Sequence, residues 1–149
     1  MKFAVIRQAV LALCLMASGA PVQAQPTHNI FFGFDMALAG IAIKWGCGGE
    51  RAADLAVLKA LMDAYPEQAE HAQLADNIEA MLKASERDTA LAELTGIELT
   101  DAQKAKLCDA ALPLELIADI PGNMAPDADS VARQHAAWTN FFRVAQSLE

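Results

Sequence analysis

Between residues 30 and 45 apolar side chains run round every side of a helix: Ile30, Phe31, Phe32, Phe34, Met36, Leu38, Ile41, Ile43 and Trp45, with Asn29 placed to cap the start. A helix without a polar face is one surrounded by protein, so this segment is predicted to lie at the centre of a bundle. Gly33, Ala37 and Gly40 offer small surfaces to close neighbours, and Gly46, Gly48 and Gly49 stop the helix around Cys47. Asp35 and Lys44 interrupt the apolar run before it reaches the length of a membrane span.

The remaining segments are amphipathic. From Arg51 to Tyr65, Leu55, Leu58, Leu61, Met62 and Tyr65 recur at helical spacing, and Pro66 ends that run while opening the next. A third helix is predicted from Glu67 to Ala84, with Leu74, Ala75, Ile78, Met81 and Leu82 on its inner stripe and Glu79 paired to Lys83 outside. Ser85 and Asp88 form a candidate capping box for a short helix through Leu94, closed by Gly96. Thr100 and Gln103 repeat that device for a helix through Leu112 that carries Cys108. Pro113 ends it, Leu114 to Ile120 is read as a further turn or two, and Pro121, Gly122, Asn123 and Pro126 make an irregular connection. Asp129 is expected to cap a last helix to Leu148, with Val131, Trp138, Phe141, Phe142 and Ala145 on its stripe. No strand-length alternation stands out, and Ala and Leu outweigh the β-branched residues. The predicted fold is therefore all-α: one small bundle of five to six helices around the 30–45 helix.

The first residues change the picture of where this bundle works. Lys2 and Arg7 precede an apolar run from Ala9 to Ala17, and Val22-Gln23-Ala24 supplies a small-residue cleavage site, the pattern of a secretory signal peptide cut after Ala24. The expected product is a single domain, residues 25–149, in the periplasm or outside the cell, with no stable membrane anchor. Cleavage removes Lys2 and Arg7, two of the 11 basic residues, and none of the 19 acidic ones, which leaves a net charge of −10 with His neutral. So acidic a chain is a poor match for nucleic acid or an anionic membrane, both of which need clustered Lys and Arg. Cleavage also removes Cys14, leaving Cys47 and Cys108 as an even pair in an oxidising compartment, where they are expected to bond.

Candidate chemistry is sparse. His71 and His135 fall on apolar stripes, with 75, 78 and 82 and with 131, 138 and 142, and are expected to be half-buried. They read either as core-edge histidines or as ligands to haem or a metal, with Met36, Met81 or Met124 as partners. Asp35, a carboxylate in an apolar helix, must open to water, pair with Arg51, Arg133 or Arg143, or stay protonated. The histidine and carboxylate spacings of the helical zinc and di-iron motifs are missing, and Glu67 and Glu70 suit a helix's first turn better than a metal. The Gly46-Cys47-Gly48-Gly49 turn lacks the Lys and Ser/Thr of a phosphate loop. No catalytic, metal or cofactor set is assigned.

In class the chain is similar to the small, exported, helical, disulfide-bearing proteins that bacteria use as toxin-immunity partners or periplasmic holdase chaperones. A glycine-bearing helix, Cys47, an amphipathic helix and then Tyr65-Pro66-Glu67 opening another resemble one such immunity family. Cys108 lies far downstream of that family's second cysteine, and no residue roles are carried over. The function expected is a non-catalytic interaction with another exported protein, as inhibitor, immunity protein or chaperone, through an acidic or apolar helix face. The alternative is a small-ligand module holding lipid, haem or metal between the first, third and last helices. An enzyme built on a pair such as Asp35 with His135 ranks below both.

Overall fold

The computed structural model describes residues 30–148; the expected leader, its expected cleavage site and Asn29 lie outside them. The described residues form seven helices and no strand: α1 Phe34–Gly46, α2 Ala52–Ala64, α3 Pro66–His71, α4 Leu74–Ser85, α5 Ala90–Thr95, α6 Asp101–Ala111 and α7 Ala128–Gln146. The all-helical bundle expected from the apolar pattern is what the chain forms.

Helix α1 occupies the centre. Every residue from Gly40 to Trp45 is buried, and α4, α5 and α6 pack around them. The first turn of the apolar run does not join it: the helix starts at Phe34, not Ile30, because Gly33 turns left-handed and Phe31 folds back to meet Phe34 edge-on at 5.4 Å. Where α7 crosses α1, Gly40 receives the indole of Trp138; a Cβ at Gly40 would lie 2.5 Å from Trp138 Cζ3. This contact requires glycine in mid-helix and outweighs its entropic cost, roughly 1 kcal/mol relative to Ala.

The C-terminal end of α1 closes in a Schellman turn. Gly48, at φ +82°, donates to Trp45 O, and Gly49 donates to Lys44 O at 2.9 Å. Cys47 sits in this turn and bonds Cys108 on α6, with an S–S distance of 2.01 Å and Cα atoms 5.5 Å apart. The predicted disulfide thus ties the end of the central helix to a neighbour 61 residues on.

Three local expectations need correction. The third predicted helix breaks at Ala72–Gln73, where Gln73 adopts φ 52° and Asn77 Nδ2 caps the freed Ala72 carbonyl. In a continuous helix Ala69 and Leu74 would point about 140° apart; the break lets both bury, and it removes His71 from the stripe of α4. Ser85 does not open α5 but ends α4, its hydroxyl donating to Leu82 O. The last helix is capped by Asp127, which accepts from Ser130 N–H, and not by Asp129. The Thr100–Gln103 capping box, in contrast, is complete in both directions.

The segment 114–120 is not a helical turn. Leu114 and Ile120 are buried, Leu116 and Ala118 pack against the core, and Glu115, Ile117 and Asp119 face the other way. Side chains that alternate between two faces mark an extended chain. This strap, Leu-Glu-Leu-Ile-Ala-Asp-Ile, crosses the bundle beside α7.

Candidate functional site

Among the described residues, two places gather polar side chains in a way that the helical pattern does not require. The first is inside. Asp54, in the first turn of α2, is 1 % exposed and accepts two bonds on one oxygen, from Lys44 Nζ at 2.8 Å and from Trp45 Nε1–H at 2.9 Å. The Lys44 side chain is 5 % exposed, so this is a sealed ion pair with an indole as third member. Lys44 is held from behind by the turn it precedes, since Gly49 lies against its Cγ as well as its carbonyl. No buried side-chain polar atom among the described residues lacks a partner. With its two charges paired and the indole N–H taken up, this node positions α1 against α2 and is almost wholly withdrawn from solvent.

The second place is a cleft of about 470 Å³ between the strap and α7. Its floor is one stripe of α7, Val131, Gln134, His135 and Trp138, which lie at the i, i+3, i+4, i+7 spacing of a helix face. Its wall is the odd-numbered side of the strap, Glu115, Ile117 and Asp119, and Ala125 and Pro126 close one end. The strap is pinned by α7 side chains acting as a strand would. The Gln134 amide accepts from Glu115 N–H at 2.9 Å and donates to Pro113 O at 3.2 Å, and Trp138 Nε1–H donates to Glu115 O at 3.1 Å. Trp138 therefore serves two faces: its ring covers Gly40 in the core, and its N–H holds the rim of the cleft.

The residues singled out in the sequence are dispersed. Asp35 is exposed in the first turn of α1, and Arg51, Arg133 and Arg143 bond instead to Glu86, Ser130 and Asn140. His71 is exposed at the end of α3, not half-buried. His135 is exposed too, but it lines the cleft. Met81 is packed in the core, whereas Met124 stands 95 % exposed on the loop after the strap. Among the described residues no cluster of three His, Cys, Asp or Glu side chains is disposed to hold a metal ion, and no helix is long and apolar enough to cross a membrane.

The buried acid was missed because Asp54 sits where an N-terminal carboxylate ordinarily serves the helix dipole in solvent. The cleft was missed with the strap. Its signal was present in the apolar residues at 114, 116, 118 and 120, obscured by Ile117 on the opposite face.

No protein-family model matches the chain, and neither does any curated protein or solved structure.

Proposed function

We propose that this chain is an exported, non-catalytic helical protein that binds another exported protein across the cleft between the strap and α7. The observation that carries the reading is the composition of that cleft: Val131, Trp138, Ile117, Ala125 and Pro126 supply apolar surface around Gln134 and His135, with Glu115 and Asp119 on the wall and no Lys or Arg anywhere in the lining. Apolar area with a charged edge of one sign is how protein surfaces select a partner, the area giving affinity and the charge giving orientation and on-rate. The net charge of −10 after the proposed cleavage points the same way, toward a basic partner. A disulfide across the central helix suits the periplasm or the extracellular space.

A photocrosslinking residue placed at Val131 in the full-length chain, expressed in its native compartment, tests this. A discrete adduct is expected from Val131, none from a control position at Glu79 on the solvent face of α4, and loss of the adduct when Glu115 and Asp119 are both changed to Lys. Equal labelling from both positions, or an adduct indifferent to the two charges, would refute the reading.

A further inference from the structure

The strap is a strand without a sheet. In an extended chain each residue's N–H and C=O point to the same side, and those of its neighbours point to the other. Both peptide groups of Glu115 are turned toward α7, where Gln134 and Trp138 take them. Those of Ile117 and Asp119, two and four residues on, are therefore turned the same way, over the cleft. Among the described residues nothing bonds to the peptide N–H or C=O groups of residues 116–119. Such a row of open donors and acceptors is the template to which an incoming strand adds.

The geometry points to strand addition: the cleft takes an extended peptide of a partner protein, basic and apolar by turns, paired to the Ile117 and Asp119 peptide groups. The inference rests on the cleft being a protein-binding face and goes beyond it by naming the mode and the chemistry of the bound segment. Main-chain bonds supply register, and the side chains supply choice. An apolar side chain of the peptide packs on Val131, Pro126 and Trp138. Basic ones meet Glu115 and Asp119, which lie about 13 Å apart along the strap, so the peptide's own charges recur at strand spacing. A second copy of this chain is a poor occupant. Two straps pairing antiparallel about Ile117 would set Glu115 opposite Asp119 twice over, and like charges across a strand pair repel.

The test uses the full-length oxidised protein, labelled with ¹⁵N, and three short acetylated peptides. In one, lysine alternates with valine; the second is the same peptide with alternate backbone nitrogens methylated; in the third, glutamate replaces lysine. The first is expected to protect the Ile117 and Asp119 amides from hydrogen exchange, and methylation on the paired edge to weaken binding by roughly tenfold. The acidic peptide is expected not to bind. Ile117→Pro, which removes one open donor, should lower affinity while far-UV circular dichroism reports an intact bundle; if that variant does not fold, the methylated peptide still decides. Binding that shifts Trp138 and His135 resonances but ignores methylation would overturn strand addition and leave the cleft as a binding face. Failure of the lysine peptide to move any cleft resonance would overturn strand addition, and a failed crosslink at Val131 would then separately remove the reading beneath it. Protection of Ile117 and Asp119 that rises with protein concentration alone would assign the edge to a second copy and refute the peptide.

Discussion

Lys44 Nζ and Asp54 Oδ2 lie 2.8 Å apart where neither side chain meets solvent, and Trp45 donates to the same oxygen. Taking two charges out of water costs several kcal/mol each, and their attraction repays this only while both are present. Asp54→Ala, which leaves an ammonium buried alone, is expected to lower unfolding stability by about 3–5 kcal/mol in urea titration. The double change Lys44→Met with Asp54→Leu should cost much less than the single one. Additive losses in the double-mutant cycle would contradict a coupled pair.

Gly40 and Gly46 lie in the same helix and should respond to Ala with opposite signs. At Gly40 the new Cβ would meet Trp138 Cζ3 at 2.5 Å, an overlap that should destabilise by about 1–3 kcal/mol. At Gly46 the nearest atoms, on Leu91 and Leu94, are 3.4 Å away, and the better helix propensity of Ala should show as a gain of up to about 1 kcal/mol. Thermal denaturation of the two variants separates the cases, and equal effects would argue against the Gly40–Trp138 crossing.

The Cys47–Cys108 bond closes a loop with a sequence separation of 61, for which chain entropy gives about 4 kcal/mol. Replacing both cysteines by Ser, or reducing the protein, is expected to cost that order of stability while far-UV circular dichroism stays helical in the absence of denaturant. Because α1 is held by packing from Leu38 to Trp45, helix content and oxidation state should separate in this way. Complete loss of helix on reduction would show the bundle to depend on the covalent tie.

Acid should release the cap of α7. Asp127 accepts from the hydroxyl and the N–H of Ser130, and these bonds hold its carboxyl below the ordinary aspartate range. A carboxyl that is more acidic in the folded state adds stability that is fully present above its unfolded pKa and disappears as the pH falls through its lower folded value. Asp127→Ala should therefore melt at lower temperature than the parent at neutral pH, and the two melting curves should converge as the pH drops below the usual carboxylate range. A gap that persisted in acid would mean the residue acts through something other than its charge.

The bundle was legible in the chain because its strongest signal is also its physical cause. The apolar run through Ile41, Ile43 and Trp45 has no polar face to offer water, so it had to be central, and the two cysteines outside the expected leader had each other as partners. The polar interior was not legible. Asp35 looked anomalous, but helix α1 begins one residue before it, which puts it in an open first turn; Asp54 looked ordinary and is sealed. Helical periodicity says which face a carboxylate occupies but not whether a lysine ten residues earlier reaches over to meet it. The break at Gln73 left no mark either, since glutamine is not a residue that announces a left-handed turn. Of the cleft lining, His135 alone was singled out for chemistry, while Val131 and Trp138 were read as a packing stripe; the wall opposite was read as helix, and its alternation became visible only once Leu116 and Ala118 were seen to face the core.

The strap carries a hazard together with its opening. A short run of leucine and isoleucine with free main-chain groups is the kind of segment that stacks into fibrils, and the two carboxylates at 115 and 119 are what keep like from adding to like. Neutralising them would yield a protein with the same core and the same helices that precipitates on storage, so the acids guard solubility whatever they select.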